Sequence, residues 1–152
     1  MIKIKRSIKI SAPLEEVFEY LSEARNLPEI WPSLMEIKDL IDDPAELSFE
    51  YVYKMAGVIF EGHAETLEFE PNERVTTQSR VGIDNVTVYS FERLGNITKV
   101  TIEIEYKIPQ RLLVKMAEPV IRRFNEREIV SMLSNLKDWM EFAASTSDED
   151  RP

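Results

Sequence analysis

Between Leu34 and Ile108 the chain keeps returning to a period of two. Leu47, Phe49, Tyr51, Tyr53 and Met55 alternate with their neighbours, and Val100, Ile102, Ile104, Tyr106 and Ile108 alternate against Thr101, Glu103, Glu105 and Lys107. Successive side chains of a strand point to opposite faces, so such stretches bury one face and wet the other. Turn signals cut the region into pieces. Ala56-Gly57 precedes Val58–Glu70, Pro71-Asn72-Glu73 precedes Arg74–Val81, Gly82 to Asn85 precedes Val86–Leu94, and Gly95-Asn96 leads to Lys99–Ile108. Six strands in succession with short connections predict an antiparallel meander.

The flanks supply one more strand and the helices. Ile2, Ile4, Ile8 and Ile10 share one face of a first strand, with Arg6 in the same phase against the pattern. Ser11 and Pro13 then signal a helix start, and Leu14, Val17, Phe18 and Leu21 make one helical face. Asn26-Leu27-Pro28-Glu29 has the form of a capping box opening a second short helix, which ends near Trp31-Pro32. After the meander, Arg111–Ala117 reads as a separate turn or short helix. Pro119 suits the first turn of a long helix whose stripe is Ile129, Met132, Leu133, Leu136, Met140 and Ala143. A sheet with one apolar face and a long amphipathic helix bury those faces against each other, which predicts an α+β domain over residues 1–144. The acidic tail Ser145–Pro152 has no apolar anchor and is expected to be disordered.

The chain has no cysteine, so disulfides, thiolate chemistry and cysteine-based zinc sites drop out. No apolar run approaches the roughly 20 residues that span a bilayer. The formal net charge of −9 opposes binding to nucleic acid and to anionic membranes. These features point to a soluble cytoplasmic protein. No phosphate-cradling glycine loop, nucleophile motif or zinc signature occurs, so neither a cofactor nor a metal is expected.

Several segments together resemble a known family. Ile8-Lys9-Ile10-Ser11-Ala12-Pro13 followed by Val17-Phe18 looks like its opening signature, and Leu27-Pro28-Glu29-Ile30-Trp31-Pro32 is similar to its second helix. Phe60-Glu61-Gly62 with Glu70-Pro71 resembles its fourth strand and turn, and Met132 to Lys137 with Glu141 resembles its terminal helix. The family is the polyketide cyclase/dehydrase-like branch of the superfamily that includes START lipid-transfer domains and the birch-pollen allergen. The resemblance, over about residues 1 to 143, implies a helix-grip fold: a seven-stranded curved antiparallel sheet wrapped around a long C-terminal helix, with two short helices after the first strand. It implies an apolar cavity between sheet and helix, and a lipid-, quinone- or polyketide-like small molecule as partner. Some relatives are cyclases or dehydratases. It implies no universal catalytic motif and no particular oligomeric state, and fold alone does not settle function.

Glu61, His63 and Glu65 share one face of their strand, with Phe60, Gly62 and Ala64 on the other. Burying three ionisable groups is costly, so the charged set is expected in solvent and the small residues inside. The room left by Gly62 and Ala64 has two readings: cavity floor, or close approach of the long helix. Tyr51, Tyr53, Thr77, Ser79, Tyr89 and Phe91 fall in the inward phase and join Phe60, Gly62 and Ala64 as expected lining. Met116, Val120, Phe124 and Asn125 complete that lining from the segment that leads into the long helix. Arg6 either reaches solvent or anchors a ligand carboxylate inside, and Glu128 is the one plausible carboxylate general base.

Overall fold

The structure is a computed structural model that describes residues 1–43 and 46–149. The first strand, β1 (Ile2–Ile10), pairs antiparallel with the last, β7 (Ile97–Tyr106). Between them the chain lays down β2 (Leu34–Asp43), β3 (Glu46–Met55), β4 (Val58–Glu70), β5 (Arg74–Val81) and β6 (Asn85–Leu94). The result is a seven-stranded sheet in the order β1-β7-β6-β5-β4-β3-β2, all neighbours antiparallel; the run from β2 to β7 is the meander that alternation predicts, and β1 joins it as the seventh strand that the family resemblance implies. The strands are followed or interrupted by α1 (Leu14–Ser22), a 3-10 turn (Ala24–Asn26), α2 (Leu27–Ile30), α3 (Gln110–Leu113) and the long α4 (Glu118–Glu149).

Two bulges bend the β4–β5 pair. Arg80 is extra on β5 between the pairs His63–Val81 and Ala64–Ser79, and Leu67 is extra on β4 between Thr66–Thr77 and Glu68–Thr76. A bulge increases local twist and changes the facing of the residues beyond it. Leu67 is accordingly exposed, while Phe69 turns back to meet Phe18 edge-on at 5.4 Å. Phe18 also meets Phe91 at 5.0 Å, so α1 seals this end of the sheet with three rings.

α4 packs against β1 and α2. Ile121, Ile129, Met132, Leu133, Leu136 and Met140 are buried along it, so the predicted stripe gains Ile121 toward the N-terminus and loses Ala143, which is exposed. Polar contacts fix its pose: Lys137 Nζ donates to the Lys9 carbonyl at 2.9 Å, and Asn135 Nδ2 donates to the Ile30 carbonyl at 3.0 Å. The helix runs on to Glu149, so Ser145–Glu149, expected without regular structure, continue it, and Thr146 donates back to the Phe142 carbonyl. Residues 150–152 of the expected tail lie outside the described residues.

Asn26 does not cap α2 as predicted. It already has helical backbone angles, because the 3-10 turn runs directly into α2, and its Nδ2 donates to the Tyr20 carbonyl at 3.0 Å. Glu29 is taken by the Tyr20 hydroxyl at 2.6 Å. At the opposite end of α1, the buried Thr98 donates to the Ala12 carbonyl at 2.8 Å and fixes the corner where β1 gives way to the helix. Thr98→Val keeps the shape and removes that donor. It is expected to cost about 1–2 kcal/mol, seen as a lower urea midpoint at unchanged slope.

Candidate functional site

The inner face of the sheet is not uniformly filled. Bulk is concentrated at the α1 end, with Phe18, Phe69 and Phe91, and beneath α4, where Val100 and Ile102 are fully buried. Between them the strands present small side chains: Ala64 on β4, Thr77 and Ser79 on β5, Thr87 on β6. The first half of α4 passes above this strip, and α2 with the following Trp31 covers one side. A cavity of about 150 Å³ remains. That is comparable to an engineered apolar cavity known to take up benzene, and below the usual range for drug-sized ligands.

Seven of the thirteen residues expected to line the cavity do so: Tyr51, Tyr53, Ala64, Thr77, Ser79, Tyr89 and Asn125. The other six are placed elsewhere. Gly62 is filled space, not cavity floor, and the long helix is not what fills it. It lies opposite Tyr51 in the β3–β4 register, and the Tyr51 phenol folds over it. A Cβ at position 62 would stand 2.2 Å from Tyr51 Cζ and 2.5 Å from the Val81 carbonyl oxygen. Phe60 is buried but lies under the Arg111 guanidinium, 4.4 Å above its ring, where α3 closes that corner. Phe91 is covered by Phe18. Met116 and Phe124 are half-buried against the core outside the cavity, and Val120 is 57% exposed, while the next residue, Ile121, takes the buried side of the turn.

Glu61, His63 and Glu65 are all exposed, on the face predicted for them. Arg6 also goes to solvent. β1 is an edge strand, and from an inward-phase position the long side chain reaches round to Glu126 on α4 at 3.9 Å. Lys3 pairs with Glu103 at 3.0 Å on the outer face.

The cavity wall also includes Thr87, which is in phase with the expected Tyr89, and Ile104 and Tyr106, which belong to the apolar face of β7 but were not among the expected lining. Leu27, Trp31 and Ile83 come from the short helices and a turn, where no periodicity marks an inward side.

Polar groups gather at two poles. At the first, the Tyr51 hydroxyl is a hub: it shares a hydrogen bond with Ser79 Oγ at 2.7 Å, accepts from the Ile83 amide at 3.1 Å and faces the Val81 carbonyl at 3.2 Å. Ser79 Oγ also donates to the Val81 carbonyl, Asn85 to the Ile83 carbonyl and Thr87 to Asn85 Oδ1, so this pole is satisfied within the protein. The second pole is Glu128. It is 7% exposed, and its Oε1 accepts the Ser33 amide at 2.7 Å. Tyr53 sits beside it. Burial, and then the negative charge of Glu128, raises the Tyr53 phenol well above its ordinary range. One turn back on α4, Asn125 Nδ2 donates to the Tyr106 hydroxyl.

Burial also pushes Tyr89 up to about 12, against the opposing effect of its hydrogen bond with Trp31. Tyr106 is pushed up to about 12 by burial, with the Asn125 hydrogen bond opposing. An unfolded tyrosine ionises near pH 10. A folded-state value raised above the unfolded one contributes stability in full below pH 10 and loses it as pH climbs toward 12. Melting temperature should therefore fall steeply across that window, and Tyr89→Phe should flatten the fall. Parallel curves for the two proteins would contradict the placement of Tyr89.

A curved sheet gripping a terminal helix around an apolar cavity defines the helix-grip class of START-like domains. The sequence matches the family described as polyketide cyclase / dehydrase and lipid transport over residues 1–141, and the chain belongs to that family. No curated protein matches it significantly. Among solved structures it is similar to TTHA0849 from Thermus thermophilus, with TM-score 0.81, 17% identity and 95% of this chain aligned to 99% of that one. It is also similar to a START superfamily protein from Mycobacterium smegmatis, with TM-score 0.76, 13% identity and coverage of 93% and 98%. The Zhui aromatase/cyclase from Streptomyces sp. R1128 superposes with TM-score 0.75 at 14% identity, covering 92% and 93%. At these identities the likeness concerns the fold. No described helix is long and apolar enough to cross a membrane.

Proposed function

We propose that this chain binds an apolar or amphipathic small molecule, of lipid, quinone or polyketide type, in the cavity between sheet and α4. The observation that carries the reading is the lining itself: ring and aliphatic side chains, small residues at the centre and few polar groups, most of them satisfied by one another. Apolar ligand surface buried there contributes roughly 25 cal/mol per Å². A smaller cavity of about 60 Å³ lies beyond Leu27, Phe49, Thr77 and Tyr89, which wall both spaces. Movement of the Leu27 and Tyr89 side chains would join the two and admit a longer ligand. Native mass spectrometry of the protein as purified tests the reading. A co-purifying apolar compound near one per chain is the expected result; a ligand-free protein that also fails to take up small aromatic compounds would contradict it.

A second reading, cyclase or dehydratase action on a polyketide-like substrate, is favoured by one observation. Glu128 is a carboxylate placed in the cavity wall, where it can take a proton from a carbon between two carbonyls. Arg6, the other candidate, is at the surface and leaves this reading with Glu128 alone.

A further inference from the structure

The polar groups of the cavity are unequal in kind. Glu128 is the only side chain of ordinary ionic charge among the described residues that line it, and no lysine, arginine or histidine is among them. Arg6, which would have supplied a positive pole, is drawn outward to Glu126, and Arg122 pairs with Glu126 as well. Among the described residues no cation pairs with Glu128. Its support is the Ser33 amide at 2.7 Å, and Tyr53 lines the same cavity. A carboxylate in a low-dielectric wall is costly unless donors surround it, and a bound molecule that seals the cavity removes the remaining water.

Resting on the small-molecule reading of the cavity, we propose that Glu128 is its specificity-determining residue, and that the ligand presents a hydroxyl or protonated amine to it. The ligand class is then an apolar body with a hydrogen-bond donor at one end. Anionic amphiphiles such as free fatty acids are excluded, because a second carboxylate would face the first across a dry space with no cation between them. The Ser33 amide holds the Glu128 carboxylate in place and leaves part of its acceptor capacity for the ligand. The Tyr51 pole, already closed on itself, shapes the opposite end without selecting for charge.

The test compares three probes with the same two-ring body: naphthalene, 2-naphthol and 2-naphthoate, by equilibrium dialysis against the full chain at pH 7. A donor to a buried charged group adds about 1.5–3 kcal/mol, so 2-naphthol should bind about tenfold or more tightly than naphthalene. 2-Naphthoate should bind at least about tenfold more weakly than naphthalene. Glu128→Gln should bring the three affinities together, mainly by admitting 2-naphthoate. The proposal is overturned if wild-type protein binds 2-naphthoate as well as 2-naphthol, or if folded Glu128→Gln protein keeps the wild-type ranking. Should Glu128→Gln not fold, the wild-type ranking alone decides. Naphthalene, which carries no polar group, reports on the cavity independently of Glu128. Uptake of naphthalene without discrimination overturns the role of Glu128 alone, and failure of all three probes overturns the small-molecule reading with it.

Discussion

Gly62→Ala is expected to lose about 3 kcal/mol of stability, because position 62 has no room for even one methyl group. The Cβ would lie 2.2 Å from Tyr51 Cζ and 2.3 Å from its hydroxyl oxygen, with the Val81 carbonyl oxygen at 2.5 Å on the other side. Backbone cannot give way there cheaply, because Gly82 is packed against the same spot. Moving the phenol away would break its contacts with Ser79 and the Ile83 amide. A double-mutant cycle isolates the cause. Tyr51→Leu should be destabilising alone, yet Gly62→Ala should cost much less in its background than in wild type. Additive costs in urea unfolding would show that the ring is not what occupies the space above Gly62.

Ala64→Leu should do the reverse: leave the fold standing and remove binding. Ala64 is the neighbouring inward residue on β4, and its side chain faces the cavity. Adding three carbons to a space of about 150 Å³ takes up much of the volume a ligand would need. Stability should change by no more than about 1–2 kcal/mol in either direction, since filling a void offsets local strain. Affinity for naphthalene should fall at least about tenfold, which is about 1.4 kcal/mol. Equal affinity in the two proteins would place the binding site outside the cavity.

These two neighbours show what periodicity carries and what it leaves out. Alternation identified both Gly62 and Ala64 as inward and small, and both are inward. It carries no information about which side chain from the next strand leans over each position. Tyr51 pairs with Gly62 across β3 and β4, and the ring takes the room; Phe49 pairs with Ala64 and leaves some of it open. Phe60 and Phe91 fail as cavity lining for a related reason. Their facing is as predicted, but Arg111 and Phe18 cover them from elements far away in the chain.

Arg6 illustrates a different limit. Its phase points inward, and only its position on an edge strand lets a long side chain escape to Glu126. Edge or centre is a property of sheet order, which pairing β1 with β7 decides and local sequence does not. Leu27 and Trp31 have no phase at all, since four residues of helix are too few to show one. Glu128 could be named from sequence as a carboxylate candidate, but its facing depends on how α4 is rotated over the sheet, and that rotation puts it in the cavity wall.

A small apolar molecule is expected to enter the space between the sheet and α4. Amide and methyl chemical-shift mapping on titration with naphthalene tests it most directly. The expected shifts cluster on Trp31, Thr77, Tyr89, Ile104 and Ile129, which surround the cavity, and leave the His63 face of β4 unmoved. Shifts confined to exposed apolar side chains such as Trp139, Phe142 or Ile59, with the cavity signals unchanged, would contradict it.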